Sequence, residues 1–345
     1  MLFDNEVWVT GASAWIPPGR DTAEAAVARG QIDTESAGWK ATDLLGIAAD
    51  VSGPEMAIQA SKSCLASAGR AASDIDFLIY SWIYYQGHDL WSVAHYVANE
   101  IGAVNCLPMT IHQGCEGGVL ALQDAALRLN ADPTVHTAMV TAADRFVLPG
   151  VDRWNNQEVY VLGDGGSAIV LSNEPTRGYR LRIVSVCTQA VTAFNIFTRG
   201  DRAFADVPMG NGSPTQLADS DWNMAFESVG GRPEFIKISQ QKVRAAFDQA
   251  IEEAGIAPEE LELIVLPRWS ARATDRIYES ILEEFATKEI VSFYSETGHL
   301  GPADCGADLA RIMDDQLLTA ARFGALLGVG GGFTWTCTIV QACAD

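Results

Sequence analysis

Of the 345 residues, 44 are acidic and 23 are Lys or Arg, giving a formal charge of −21 and a pI near 4.5. That balance excludes a general nucleic-acid binder, which needs a basic surface to displace counterions from phosphates, and it excludes adhesion to an anionic membrane. With 48% hydrophobic and 19% charged residues the chain can build a large core rather than stay disordered, and its length suits two domains.

Met1-Leu2-Phe3-Asp4-Asn5-Glu6 carries early acids and no basic start before an apolar run, so no secretory signal is expected. Val7 to Gly11 reads as a first strand ending in a turn, Glu55 to Gly69 as a helix, and Ile75 to Trp82 as an apolar strand. Gly117 to Asn130 predicts a helix, and Thr137 to Ala142 and Ser167 to Ser172 predict short buried strands. Ala193 to Pro233 is a long stretch rich in Gly, Pro, Asp and aromatics; it reads either as a cover over a pocket, using Phe194, Phe197, Phe204, Met209 and Trp222, or as a plain surface excursion. Gly324 to Val340, broken by glycines and threonines, reads as two buried strands and not as a membrane span. Alternating strands and helices favour an α/β fold with a largely parallel, doubly covered sheet. Seven cysteines without paired spacing suggest a reducing cytoplasm.

The second half retraces the first. Ala68-Gly69 is matched by Ala254-Gly255, and Ile75-Asp76-Phe77-Leu78-Ile79 by Leu261-Glu262-Leu263-Ile264-Val265, both 186 positions on. Ala138-Met139-Val140 matches Ala325-Leu326-Leu327 at 187. Three matches in order at nearly one offset indicate an internal duplication, with halves 1–175 and 176–345 meeting at the Glu174-Pro175-Thr176-Arg177-Gly178 turn.

The sharpest local feature is His112-Gln113-Gly114-Cys115-Glu116-Gly117-Gly118 ahead of an apolar helix. A cysteine at a helix start meets unpaired N–H groups and the positive dipole end, which stabilise a thiolate, and flanking glycines let a ligand approach. A small buried hydrophobe is the other reading of such a cysteine. A nucleophile needs a base, and the base needs an orienting group. His88, His95, His112 and His136 read as packed or surface histidines. His299 differs: the 186-residue shift carries Cys115 onto Gly301, so His299 falls in the equivalent loop of the other half, with Asp304 five residues on. Asp304 could orient His299 or simply cap a helix.

Gly328-Val329-Gly330-Gly331-Gly332-Phe333-Thr334-Trp335 places glycines between two buried strands, where a backbone amide could join that of Cys115 in an oxyanion hole. Gly163-Asp164-Gly165-Gly166 is its first-half counterpart and reads as a structural turn. Neither has the context of a dinucleotide site, and no metal-ligand spacing occurs, so no bound cofactor or metal is expected. Arg268, Arg272 and Arg276 recur every four residues and read as a basic helix stripe for a phosphate or an acidic carrier, or as a solvated face.

On the duplicated halves, Gly114-Cys115-Glu116-Gly117-Gly118, Gly163-Asp164-Gly165-Gly166 and Gly330-Gly331-Gly332-Phe333-Thr334-Trp335, the chain resembles the thiolase superfamily and its ketoacyl synthase III-like enzymes. The resemblance implies a five-layered αβαβα fold, a homodimer, an acyl-cysteine intermediate on Cys115, and an oxyanion hole from the Cys115 and Gly331 amides. Condensing members carry His-Gln-Ala-Asn after the strand that ends near Leu266, whereas this chain reads Pro267-Arg268-Trp269-Ser270; their Gly-Asn pair is replaced by Gly298-His299. What remains, Cys115, His299 and Asp304, resembles the acyltransferase branch of antibiotic and polyketide pathways. That branch moves acyl groups from an acyl carrier protein or CoA thioester to a hydroxyl or amine of a sugar, cyclitol or similar small molecule. In this family the segment holding Trp82, Tyr84, Tyr85 and Trp91 borders the acyl pocket, so these aromatics read either as contacts of an aromatic or bulky acyl group or as core and dimer-contact packing; Trp82, Tyr84, Trp91, Arg268 and Trp269 are the expected substrate contacts. A condensing synthase, or a partner subunit that only binds acyl carriers, are the competing readings.

Overall fold

The computed structural model describes residues 5–344 apart from 41, 43, 156–158, 202 and 208–218; Met209 and the first four residues thus lie outside the described residues. Its main sheet has ten strands: β1 (Val7–Trp15), β2 (Phe77–Ser81), β3 (Leu107–Ile111), β4 (Thr137–Asp144), β5 (Gly165–Ser172), β6 (Arg180–Ala190), β7 (Leu261–Val265), β8 (Glu289–Val291), β9 (Phe323–Gly330) and β10 (Thr334–Cys343). Their spatial order is β8-β7-β9-β10-β6-β1-β5-β4-β2-β3. Each five-strand set therefore runs first, fifth, fourth, second, third, and the sets meet where β1 pairs antiparallel with β6 over Val7–Ile183, Trp8–Arg182 and Val9–Leu181.

The duplication extends to register. Phe77 pairs with Ala138 between β2 and β4, and Leu263 pairs with Gly324 between β7 and β9, each partner 186 residues on. The β4 match thus falls on Gly324, one residue before the match read from the sequence. Side-chain period two makes that residue matter, because a slip of one would turn every β9 side chain to the opposite face.

Five layers follow from which faces are apolar. Helix α1 (Gly53–Ala68) begins at a capping box between Ser52 and Glu55 and stops at Gly69, whose φ of 61° a side chain would resist. With α2 (Val93–Ile101) it covers the outer face of the first set. Helix α3 (Gly117–Ala131) and its counterpart α6 (Asp304–Asp314) lie between the two sets, in one core shared by β1, β4, β5, β9 and β10. Helix α4 (Arg232–Ala254), stopped by Gly255 at φ 65°, and α5 (Ala271–Ile277) cover the outer face of the second set. Strands β4 and β5 are buried at all eight positions, as sheets covered on both faces require.

One expected turn is absent. β1 runs through Gly11 to Trp15, and a Cβ at Gly11 would lie 2.8 Å from that of Ala68. That glycine admits α1 to the sheet rather than ending the strand.

Candidate active site

Two loops, one from each half, converge because α3 and α6 are equivalent helices in the central layer. The turn before α3 carries Cys115, with Gly114 at φ +56°. The loop before α6 carries His299, 2% exposed. Both residues line one small cavity, with Glu116, Asp304 and Asp308.

Backbone pairing with the first half holds the histidine loop. The His299 N–H donates to the Val161 carbonyl at 2.9 Å, and the Gly163 N–H donates to the His299 carbonyl at 3.0 Å. A Cβ at Gly163 would collide with the Thr297 carbonyl, so the first-half glycine turn is the dock for the second half's loop. Beside it Asp164, fully buried, pairs with Arg153 at 3.0 Å and accepts from the Ala48 and Phe146 amides. Gly118, one turn after Cys115, has the same office: a Cβ would strike the Pro302 carbonyl. Gly118→Ala should cost about 1–3 kcal/mol in denaturant unfolding by overpacking this contact, and it should slow cysteine-dependent chemistry by parting the two loops. Unchanged stability would refute the close approach.

The imidazole is fixed on one edge. Its Nδ1 lies 2.5 Å from Asp304 Oδ2, while Asp304 Oδ1 accepts the Leu300 N–H at 2.8 Å. Asp304 opens α6 and orients His299; the cap position is Ala303, and no side chain caps the helix. The buried Nε2 has no hydrogen-bond partner, and Cys115 lines the same small cavity as the ring. Burial by itself would lower the histidine pKa; the charges of Asp304 and Cys115 outweigh it and hold the imidazole well above the ordinary range. Geometry and charge thus favour an imidazolium beside Cys115. Next to the cysteine, burial pushes the Glu116 carboxyl up to about 8, where it bonds Thr336 Oγ1 at 2.8 Å.

Cys115 also opens onto a cavity of about 640 Å³. Tyr160, Phe197, Trp222, Trp269 and Phe333 give it aromatic walls, and Arg232, Arg272 and Arg276 line it with cations. Gly331, at the turn between β9 and β10, lines the same cavity as Cys115. Within the described part of the long segment after Val191, Phe197 and Trp222 line this space, whereas Phe204 is 91% exposed and takes no part. The chamber thus combines aromatic walls with a few placed charges.

Sequence expectation and structure part at two places. Trp82, Tyr84 and Trp91 do not line the cavity: Trp82 stacks on Tyr80 and His112, Trp91 packs against His88 and Tyr96, and Tyr84 packs on Phe146. They belong to the outer-layer core and its margin on the first-half side. The basic stripe also dissolves. Arg268 precedes α5 and is 2% exposed, its guanidinium turned to Asp308 at 2.8 Å, so only Arg272 and Arg276 reach the cavity. Arg272 rests 5.7 Å over the Trp39 ring. Tyr160 was not foreseen: its ring centroid lies 4.5 Å from that of His299 and it lines the cavity. No motif marks an isolated tyrosine, and only the chain fold brings it there.

Two family models match, the 3-oxoacyl-[acyl-carrier-protein] synthase III model over residues 109–190 and the model of its C-terminal part over 251–342. They cover the cysteine turn and the His299 loop. A beta-ketoacyl-[acyl-carrier-protein] synthase III of Gloeobacter violaceus is 24% identical over 290 residues, 81% of each chain. Among solved structures, the acyltransferase ChlB3 superposes with a TM-score of 0.87 at 26% identity, over 99% of this chain and 98% of that one. The 3-oxoacyl-[acyl-carrier-protein] synthase III of Aquifex aeolicus gives 0.76 at 18%, over 97% and 99%, a likeness of fold. The chain is a ketoacyl synthase III-like member of the thiolase superfamily and an enzyme of acyl-group chemistry.

Proposed function

We propose that this protein is an acyltransferase that takes an acyl group from a carrier-protein or CoA thioester onto Cys115 and passes it to a hydroxyl or amine of a small-molecule acceptor, a sugar, cyclitol or similar compound of secondary metabolism. The observation that carries this reading is the joint geometry of His299 and Arg268. A histidine oriented by a carboxylate faces the nucleophile. Where condensing relatives hold a catalytic histidine, a buried arginine is engaged with Asp308, Thr297 and the Phe293 carbonyl. An arginine so committed has no proton to exchange in an enolate-forming step, whereas the cysteine–histidine–aspartate relay is suited to deprotonating an acceptor.

In the first half-reaction the Cys115 thiolate attacks the thioester carbonyl. The Cys115 and Gly331 amides hold the oxyanion, the C–S bond to the carrier breaks, and the carrier thiol leaves with the His299 proton. In the second, His299 takes the acceptor's proton and the acceptor attacks the acyl carbon. Collapse then expels Cys115 as thiolate beside a reprotonated His299, so the charge cycle closes. Acylation removes one of the two negative charges that hold the imidazole proton, so the same histidine turns from acid to base at the point where a base is needed.

Arg272 and Arg276 would meet the phosphate of the carrier arm, while Tyr160, Trp222 and Trp269 favour an aromatic acyl group. Trp269 Nε1, buried without a partner, would serve a substrate carbonyl. Seven free cysteines support a cytoplasmic setting. Strand β3 ends the sheet with Leu107 and Met109 exposed, an unpaired edge that a second copy could extend into a homodimer. Ultracentrifugation should give twice the 37.0 kDa chain mass, and Leu107→Lys with Met109→Lys should return it to one; a monomeric wild type would exclude the dimer.

The test is intact mass after incubation with acetyl, malonyl and benzoyl thioesters of CoA and of a carrier protein, followed by an acceptor panel. Cys115-dependent mass gain that hydroxyl or amine compounds discharge is the expected result. No gain would overturn the reading. Discharge by malonyl thioester alone, with a ketone product, would replace it by condensation, the activity named for the Gloeobacter relative.

A further inference from the structure

Around His299 the interior is crowded with acids. Asp304 and Asp308 face it from α6, Glu116 from the start of α3, and Asp144 from the end of β4, alongside Cys115 and the Tyr160 ring. Arg268, at the end of the segment leaving β7, is buried beside Asp304 and Asp308. Its Nη1 donates to the Phe293 carbonyl at 3.0 Å and to Thr297 Oγ1 at 2.6 Å, on the segment that leads to His299. Nε and Nη2 meet Asp308 Oδ1 at 3.0 and 2.8 Å. Asp304 Oδ1, whose carboxylate carries the histidine, stands 3.7 Å from Nε.

We propose that Arg268 is a positioning residue for the transfer step: its guanidinium ties the 293–299 segment to α6 so that Asp304 presents one oxygen to His299, and its charge offsets the buried acids so that the His299–Asp304 pair can give up its proton when the acceptor must lose one. The inference rests on His299 being the base of the proposed acyl transfer. Two physical facts support it. A planar guanidinium meets several partners at fixed angles, which a lysine cannot. A buried unpaired acid is costly, and burial already pushes Asp308 up to about 7 against the opposing pull of Arg268. Without Arg268 the pair faces a more negative surround and keeps its proton to higher pH; Asp308 then takes up a proton itself and softens the change.

The experiment uses the full chain, acylated on Cys115 with acetyl-CoA, and water as the probe acceptor, with decay of acyl-enzyme followed by intact mass across pH. Arg268→Gln should move the acid limb of the decay profile alkaline by about one pH unit. Arg268→Lys, which keeps the charge and loses the fork, should leave the limb in place while slowing decay about tenfold. Should the glutamine variant fail to fold, Asp308→Asn supplies the opposite sign, a limb moved acid by about half a unit. An acid limb that stays put in the folded glutamine or asparagine variant, or moves as far in the lysine variant as in the glutamine one, overturns the proposal. A His299→Ala enzyme that discharges as fast as wild type would instead overturn the underlying function, so the two failures are distinct.

Discussion

Replacing Cys115 by alanine should abolish acyl-enzyme formation altogether, with no mass gain from any thioester and transfer reduced by at least about a thousandfold. The expectation follows from position rather than from residue type. Cys64, Cys305 and Cys337 are thiols that burial pushes up, to about 12 in Cys64, which makes them inert small hydrophobes. Cys115 alone among the seven lines the 640 Å³ chamber and has the imidazole in reach. Cys115→Ser should retain binding and lose nearly all turnover, because a hydroxyl beside this imidazole must be deprotonated afresh in each cycle. Equal acylation of wild type and the alanine variant would mean that label is taken up elsewhere.

His299→Ala should divide the two half-reactions. Discharge of acyl-Cys115 should slow by about 10²–10⁴, the range for loss of a placed general base, and donor acylation should slow less, since a thiolate can attack without further proton removal. Equal losses would argue that His299 serves only to charge Cys115. The pH dependence carries its own sign. In the resting enzyme Asp304 and Cys115 raise the histidine pKa; in the acyl-enzyme the Cys115 charge is gone and Asp304 remains. Discharge needs the neutral ring, so its rate should rise with pH to a plateau, and its midpoint should lie below the pH at which the resting imidazolium titrates, read from the imidazole C–H chemical shift by NMR. A discharge midpoint at or above the resting value would contradict the acid-to-base exchange.

Much of the centre was legible because the duplication works like a ruler. The offset of 186 that aligns Gly69 with Gly255 also carries Cys115 to within two residues of His299, and equivalent loops before equivalent helices meet across the central layer. Apolar runs announced β2, β4 and β5 for an equally local reason, since strands buried on both faces have few alternatives to Val, Ile, Leu and Ala. Where reasoning failed, the missing information was long-range. A spacing of four placed Arg268 on a helix with Arg272, but the helix starts only at Ala271, and the side chain instead turns inward to acids some 40 residues away in sequence. Trp82, Tyr84 and Trp91 are aromatic in the expected segment, yet the fold spends them on packing, while Tyr160 and Phe197 line the chamber.

The sequence by itself thus determined the α/β class and the repeat, because these reside in periodicity. It did not determine the strand directions: among the described residues, five of the nine pairings in the main sheet are antiparallel where a largely parallel sheet was expected. Only the tertiary structure decided which way Arg268 faces, which aromatics line the cavity, and that the first-half turn at Gly163 docks the second-half histidine. Side-chain direction at a loop is set by partners far along the chain, and burial makes those partners obligatory. The balance of −21 shows the same division: the count excluded partners, but only the fold shows that Arg268 is buried beside Asp304 and Asp308.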